Sequence, residues 1–367
     1  MPLIIEGSRI PSRWAERKSQ SSESVENFGR AAESVRIAFV NNMPDAALED
    51  TETQFFELLE AVAGNVPVRV RLHSLSGISR GERGQQHLAN FYFSTNDLFD
   101  HRYDAMIMTG TEPRQSDLRK ELFWPALSNV LDWAEGNTVS TILSCLAAHA
   151  GVLHSDGIKR HPLSDKQFGV FAFEKSMDHP LTSGTEEKIR LPHSRWNEVK
   201  AEALAACGYS VVTQSAEGGV DSFVKKKKRS LFLHFQGHPE YGAGTLLKEY
   251  QRDVKRFTRG ERETYPSMPK GYFDVASAKL VTAFRNVVLS DRREELMESF
   301  PTIALSATLQ KTWHPSAMTI YRNWLRIVIS KKADDVSKLS AVASVRERAP
   351  RNPMALAERR KRVTYRK

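Results

Sequence analysis

Two short segments of this 367-residue chain carry residue types that perform nucleophilic chemistry together. The first is Cys145, which follows the apolar run V-S-T-I-L-S and precedes L-A-A-H-A-G-V-L-H, a stretch of good helix formers at helical spacing. A cysteine at such a strand-to-helix turn sits at a helix N-terminus. Unpaired N–H groups and the helix dipole there favour a thiolate and can hold an oxyanion. The competing reading is a cysteine packed as a small hydrophobe. The second segment is F-Q-G-H-P-E-Y, residues 235–241, directly after the run L-F-L-H-F. Gly237 and Pro239 mark a sharp turn, which places His238 at the C-terminal edge of a strand, where open α/β sheets carry their sites. Glu240, two residues on, can reach back to the imidazole and fix its tautomer, as the third member of a nucleophile–base–acid triad does. His234 inside the strand and His149, four residues beyond Cys145, are competing bases, for both of which a packed or surface role is the simpler reading. Cys207, in A-L-A-A-C-G-Y, falls at a helix end and reads as packing.

The elements that must position these residues follow from the apolar pattern. Short apolar runs bounded by turn residues occur at 35–40, 66–72, 103–110 and 139–144. Between the first pair, Phe55, Leu58, Leu59 and Val62 recur at i, i+3, i+4, i+7, and Leu127, Val130, Leu131 and Ala134 do so between the last pair. Strands alternating with amphipathic helices predict an α/β fold with a doubly wound, mostly parallel sheet flanked by helices. Later runs at 168–173, 209–214, 221–224 and 230–235 have shorter connections, so this half of the sheet is expected to be mixed, with Lys225 to Arg229 at a hairpin tip. Residues 1–34, polar and Ser-rich, read as a poorly ordered lead-in, 35–330 as the catalytic domain, and 331–367 as a basic, flexible tail. The segment from Asp274 to Leu309 reads as helical.

Charge separates body from tail. The formal net charge is +9, and residues 331–367 hold 12 Lys+Arg against 4 Asp+Glu, leaving 41 against 40 in the rest. The body is therefore close to neutral, and nucleic acid is an expected partner only through weak contact with the tail. Two cysteines without clustered spacing exclude a disulfide framework and a zinc or iron–sulfur site, so no metal is expected and a reducing compartment is. Glu6 and Arg9 break the N-terminal apolar run, and no stretch approaches the roughly 18 apolar residues of a membrane span. A soluble, cytoplasmic protein is expected.

Taken in order, N-N-M-P (41–44), E-T-Q-F-F-E-L-L (52–59), H-L-A-N-F-Y (87–92), Thr109-Gly110, L-P-H-S-R (191–195), G-H-P-E-Y (237–241) and Y-Q-R-D (250–253) resemble the homoserine O-succinyltransferase family. W-H-P-S-A-M-T-I-Y-R-N-W-L (313–325) is similar to that family's C-terminal motif. The resemblance implies a class I glutamine amidotransferase-like fold, a homodimer, and a thiol-dependent acyl transfer from acyl-CoA, a co-substrate rather than a cofactor, to a small hydroxy amino acid in methionine biosynthesis. It implies that Cys145 attacks the thioester and that His238, oriented by Glu240, deprotonates the homoserine hydroxyl that attacks the acyl-enzyme. It places Lys166, Ser194, Arg195 and Arg252 at the amino-acid substrate, and the backbone N–H groups of Leu146 and Gly110 at the oxyanion. An arginine fork suits an α-carboxylate, with a lysine as a point charge nearby.

Two departures from the family pattern stand out. After N-M-P the family has a lysine pair, whereas this chain reads D-A-A-L-E-D and is expected to run two residues longer before its helix. At the position that separates succinyl from acetyl donors, Glu112 or Arg114 falls according to the gap; a glutamate would repel a succinyl carboxylate and an arginine would pair with it. The ungapped match selects Arg114 and slightly favours succinyl-CoA over acetyl-CoA. Serine or another hydroxy amino acid is the alternative acceptor. A glutaminase also uses a Cys and His-Pro-Glu pairing, but Ser144 and Leu146 stand beside Cys145 where such enzymes carry glycines.

Overall fold

The apolar runs become strands of a single ten-stranded sheet in a computed structural model that describes residues 3–7, 9–11, 13–16 and 34–348, with side chains to residue 335. In chain order the strands are β1 (Leu3–Ile5), β2 (Val35–Val40), β3 (Val68–His73), β4 (Ala105–Met108), β5 (Ser140–Ser144), β6 (His161–Lys175), β7 (Ile189–Glu198), β8 (Ser210–Ser215), β9 (Gly219–Lys227) and β10 (Ser230–Phe235). The longer helices among the described residues are α1 (Asp45–Ala63), α2 (Glu82–Phe91), α3 (Thr95–Asp100), α4 (Trp124–Asn137), α5 (Leu146–Asp156), α6 (Ala201–Ala206), α7 (Thr245–Thr258), α8 (Val275–Ser290), α9 (Thr302–Ser306) and α10 (His314–Arg348). The strand order is β1-β3-β2-β4-β5-β10-β9-β8-β6-β7. The first six in that order pair parallel, and β10-β9, β9-β8, β8-β6 and β6-β7 pair antiparallel. The sheet is thus parallel in one half and antiparallel in the other. The antiparallel half includes β7, which carries L-P-H-S-R and lacked the uniform apolar run that marks a strand.

Burial explains the pattern. β4 and β5 are buried at every position, as central parallel strands covered on both faces must be. The predicted helical stripes face inward: Phe55 lies 5.0 Å from Phe39, and Leu127, Val130, Leu131 and Ala134 share a core cluster with Met106, Met108 and Leu143. Lys228, at φ 46°, turns β9 into β10 across a two-residue tip.

Three boundaries differ from expectation. Part of the lead-in belongs to the fold: Leu3–Ile5 adds to β3 as a parallel edge strand, and Trp14 is buried edge-on against Phe56 at 5.5 Å. The triplet L-I-I is short, but β3 offers it a row of unpaired backbone groups. Residues 17–33 lie outside the described residues. The extra two residues expected after N-M-P do not form a loop, because α1 begins at Asp45, directly after Pro44. An acidic first turn suits a helix N-terminus. Finally, the described residues up to Val328 form one compact unit and those from Ile329 a second. The described part of the second is helical to Arg348, since K-K-A-D-D-V-S-K-L-S-A-V-A-S-V-R-E-R holds no proline or glycine. The remainder of the expected tail, 349–367, lies outside the described residues.

Candidate active site

Parallel pairing of β5 with β10 brings the two reactive segments together. Ser144 is in register with Phe235, so the residues that leave both strands emerge side by side, and the Cys145 N–H donates to the Phe235 carbonyl at 2.8 Å. Cys145 adopts φ 54°, ψ −112° as the residue capping α5. A side chain forced to positive φ at a strand-to-helix turn is pushed out of the sheet and over the helix N-terminus, at a cost of about 1–3 kcal/mol. Gly237 has a different role: a Cβ there would lie 2.6 Å from His193 Nε2 and 2.8 Å from Asp221 Oδ1, so only glycine lets the chain pass. The His238 N–H donates to the Pro192 carbonyl at 2.8 Å, and the Tyr241 N–H closes the turn onto the His238 carbonyl at 3.1 Å.

His238 and Glu240 are both buried. His238 Nδ1 lies 2.8 Å from Glu240 Oε1, which also accepts from Ser144 Oγ at 3.3 Å. The imidazole also interacts electrostatically with Cys145. Burial pulls the His238 pKa down, but the negative fields of Cys145 and Glu240 and their hydrogen bonds outweigh it and hold the imidazole well above its ordinary value. Tyr241 stacks on this ring at 4.1 Å, and Trp313 Nε1 donates to the Tyr241 carbonyl at 3.0 Å. Tyr321 stacks on Phe235 at 6.2 Å, so the segment 313–325 backs the triad with buried aromatic rings. The competing bases are neutral and occupied. His149 bonds Gln236 Oε1 at 2.8 Å, His234 stacks on Phe223 at 4.5 Å, and burial lowers both to about 3. Cys207 packs beside Leu204, Tyr209 and Val220.

Gly110 and Leu146 approach each other closely. A Cβ on Gly110 would lie 2.7 Å from Leu146 Cβ and 2.9 Å from its nitrogen. Among the described residues neither backbone N–H has an internal acceptor, which leaves two donors beside Cys145 for an oxyanion.

A cavity of about 780 Å³ opens over Cys145. Lys166, Ser194, Arg195 and Arg252 all line it, together with Gly110, Leu146, Glu112, His238 and Glu240. Arg114 does not: its side chain is exposed, and its backbone N–H and that of Gln115 donate to Glu121 Oε1 at 2.5 and 2.6 Å. The loop position selected by the ungapped match therefore points away from the cavity, and Glu112 is the member of the pair that faces it. Glu112 is paired with Arg256 at 3.5 Å.

Lys166 and Ser194 converge on a carboxylate that pattern reading missed. Glu249 Oε1 accepts from the Tyr241 hydroxyl at 2.6 Å, and its Oε2 accepts from Ser194 Oγ and from Lys166 Nζ at 3.3 Å. Lys166 also reaches Asp253 Oδ2 at 2.8 Å and lies 4.0 Å above the Phe168 ring. Arg252 donates to Asp253 Oδ1 at 3.3 Å. Burial pushes Glu249 up, but Lys166 and the hydroxyls outweigh it and hold the carboxyl below its usual range. Arg195 is buried, with Nε on His193 Nδ1 at 3.2 Å and its two Nη atoms on the Asn197 and Gly218 carbonyls at 2.8 and 2.7 Å. Glu249 sits three residues before Arg252 on α7, so the i, i+3 spacing was the signal that could have found it. Among the described residues no group of three His, Cys, Asp or Glu side chains is placed to hold a metal ion. No described helix is long and apolar enough to cross a membrane.

A family model described as homoserine O-succinyltransferase matches residues 19–334. Curated proteins of that name are similar to this chain: one from Rhodopseudomonas palustris is 43% identical over 82% of this chain and 92% of its own length. Another, from Methylorubrum extorquens, is 41% identical over 82% and 88%. Among solved structures, a glutamine amidotransferase from Methylobacillus flagellatus is similar with a TM-score of 0.44 and 14% identity, over 80% of this chain and 95% of that one.

Three outcomes follow from this geometry. In Cys145→Ala and in Glu240→Gln, histidine NMR titration will show the His238 pKa lower than in the unaltered protein, because each change removes an interaction that favours the imidazolium. An unmoved titration would show that the partners do not set it. Since folding raises this pKa, its contribution to stability is present below about 6.5 and is lost as pH climbs through the raised value. Cys145→Gly will melt at or above Cys145→Ala, because only glycine takes φ 54° without steric cost. Gly110→Ala will lower kcat by about 10²-fold or more through displacement of the Leu146 amide, read against an unchanged fold by circular dichroism.

Proposed function

The chain belongs to the homoserine O-succinyltransferase family, and we propose that it transfers the succinyl group of succinyl-CoA to the hydroxyl of homoserine through a thioester on Cys145, as a step of methionine biosynthesis. The protein is an acyltransferase, and homoserine O-acylation is the activity of its family. The observation that carries the covalent route is the Cys145–His238–Glu240 chain beside the free amides of Gly110 and Leu146.

The thiolate of Cys145 adds to the thioester carbonyl, and the two amides receive the oxyanion. The C–S bond to CoA breaks and the leaving thiolate takes the imidazolium proton of His238, which leaves a neutral base. Homoserine then approaches with its charges matched: its α-carboxylate meets Arg252, which is half exposed, and its ammonium meets Glu249 and Asp253. His238 Nε2 takes the hydroxyl proton as the oxygen attacks the acyl carbon, and collapse expels the Cys145 thiolate. Glu240 remains ionised on Nδ1 and holds the ring throughout. Passing an acyl group between thiols is close to thermoneutral and passing it on to an alcohol is downhill, which suits a sulfur nucleophile. Succinyl-CoA as donor is supported by the name of the relatives, and the Arg256 partner of Glu112 offsets the charge that would repel a second carboxylate.

Incubation with succinyl-CoA and homoserine is expected to release CoA and, with homoserine omitted, to leave one succinyl group on Cys145 by intact-mass measurement. Cys145→Ala will lose at least about 10⁴-fold in rate. Release of ammonia from glutamine without release of CoA would overturn the assignment, and faster turnover with serine than with homoserine would replace the acceptor.

A further inference from the structure

The charges around the cavity are not equally committed. Lys166 and Arg252 are paired with Asp253 at 2.8 and 3.3 Å, and Arg256 with Glu112 at 3.5 Å. The guanidinium of Arg195 is spent on His193 and two carbonyls. Arg160 also lines the cavity and is half-buried, yet among the described residues it has no carboxylate partner. Its hydrogen bonds are long: Nη2 reaches the carbonyls of Gln115 and Ser116, both at 3.4 Å, in the loop that follows Gly110. Arg262, a lining arginine likewise without a carboxylate partner, stands after α7 and donates to the Thr264 hydroxyl at 3.5 Å.

Helix α5 puts Arg160 there. It starts at Leu146, after its capping residue Cys145, and ends before Gly157, whose left-handed conformation (φ 68°, ψ 13°) lets its N–H cap the Leu153 carbonyl at 3.1 Å while the Ile158 N–H caps Val152 at 3.3 Å. Ile158 is buried and anchors the turn, so the chain folds back and Arg160 arrives as the last residue before β6. The thiol lies within its electrostatic reach: burial lowers the affinity of the guanidinium for its proton, while Cys145 and Glu121 raise it. A guanidinium partly withdrawn from water without a paired carboxylate bears a desolvation cost that an incoming anion offsets, and its planar fork fits a carboxylate with two parallel bonds.

We infer that Arg160 receives the distal carboxylate of a dicarboxylic acyl group carried on Cys145, and so is a specificity-determining residue for the acyl donor. The inference rests on the acyl transfer proposed above and deepens it. An acetyl group brings no anion and leaves the fork unpaired, which is how a polar site rejects a substrate that lacks its partner.

The test compares kcat/KM for succinyl-CoA and acetyl-CoA at fixed homoserine in the unaltered protein, Arg160→Lys and Arg160→Met, with intact mass recording which acyl group reaches Cys145. Arg160→Met is expected to cut the succinyl-to-acetyl preference by roughly 10- to 100-fold, mainly through a higher KM for succinyl-CoA, the worth of one charged hydrogen-bonded pair. Arg160→Lys will restore part of it. Equal losses with both donors would overturn the inference and assign Arg160 to the CoA phosphates or to the fold, and an unchanged preference would overturn it as well. Should Arg160→Met lose its cooperative melting transition, Arg160→Gln carries the same comparison. Acylation of the unaltered protein by acetyl-CoA alone would overturn this inference and leave the thioester route standing; acylation by neither donor would overturn both.

Discussion

Everything in the site depends on one backbone register, Ser144 opposite Phe235 in the parallel pairing of β5 and β10. A shift by one residue would turn every side chain of the shifted strand to the other face. Cys145 and His238 would then leave the sheet in different directions. The register is held by burial: β5 is buried at every position, and Phe235 lies under Tyr321. The bond from Cys145 N–H to the Phe235 carbonyl extends the pairing one residue past the end of β5 and ties the strained turn to the neighbouring strand.

Electrostatics divides the cavity wall into two regions. On one side, Cys145 and Glu240 favour the charged form of the His238 imidazole against the cost of burial. On the other, Glu249 and Asp253 are satisfied by Lys166, Arg252, Ser194 and Tyr241. A buried charge with its partners costs far less than one without, so the second network is stable as it stands. Tyr241 joins the two, with its ring on His238 and its hydroxyl on Glu249. The aromatic segment 313–325 closes the back, Trp313 holding the Tyr241 carbonyl and Trp324 Nε1 reaching Ser140 Oγ at 3.0 Å under β5. That motif is remote from Cys145 in sequence and none of its residues lines the cavity, which is why only its likeness to the family's C-terminal motif marked it.

The sequence by itself determined the parts whose information is local. The strand-to-helix turn at Cys145, the Gly-His-Pro-Glu turn, the inward stripes of α1 and α4, and the parallel core all follow from spacing and residue type, and each is stated by a few neighbouring residues. Tertiary structure alone decided which cation or carboxylate meets which. Glu112 and Arg114 are two residues apart, yet one faces the cavity and the other solvent, because the path of that loop is set by Glu121 accepting two of its amides. Leu3–Ile5 became a strand because β3 had an open edge, and Asp45 began a helix where a loop was expected because Pro44 ends the strand exit there. Glu249 became a hub because residues from β6, β7, the turn after β10 and α7 converge on it. Contacts between segments distant in the chain are fixed by packing and burial, and those depend on the whole fold.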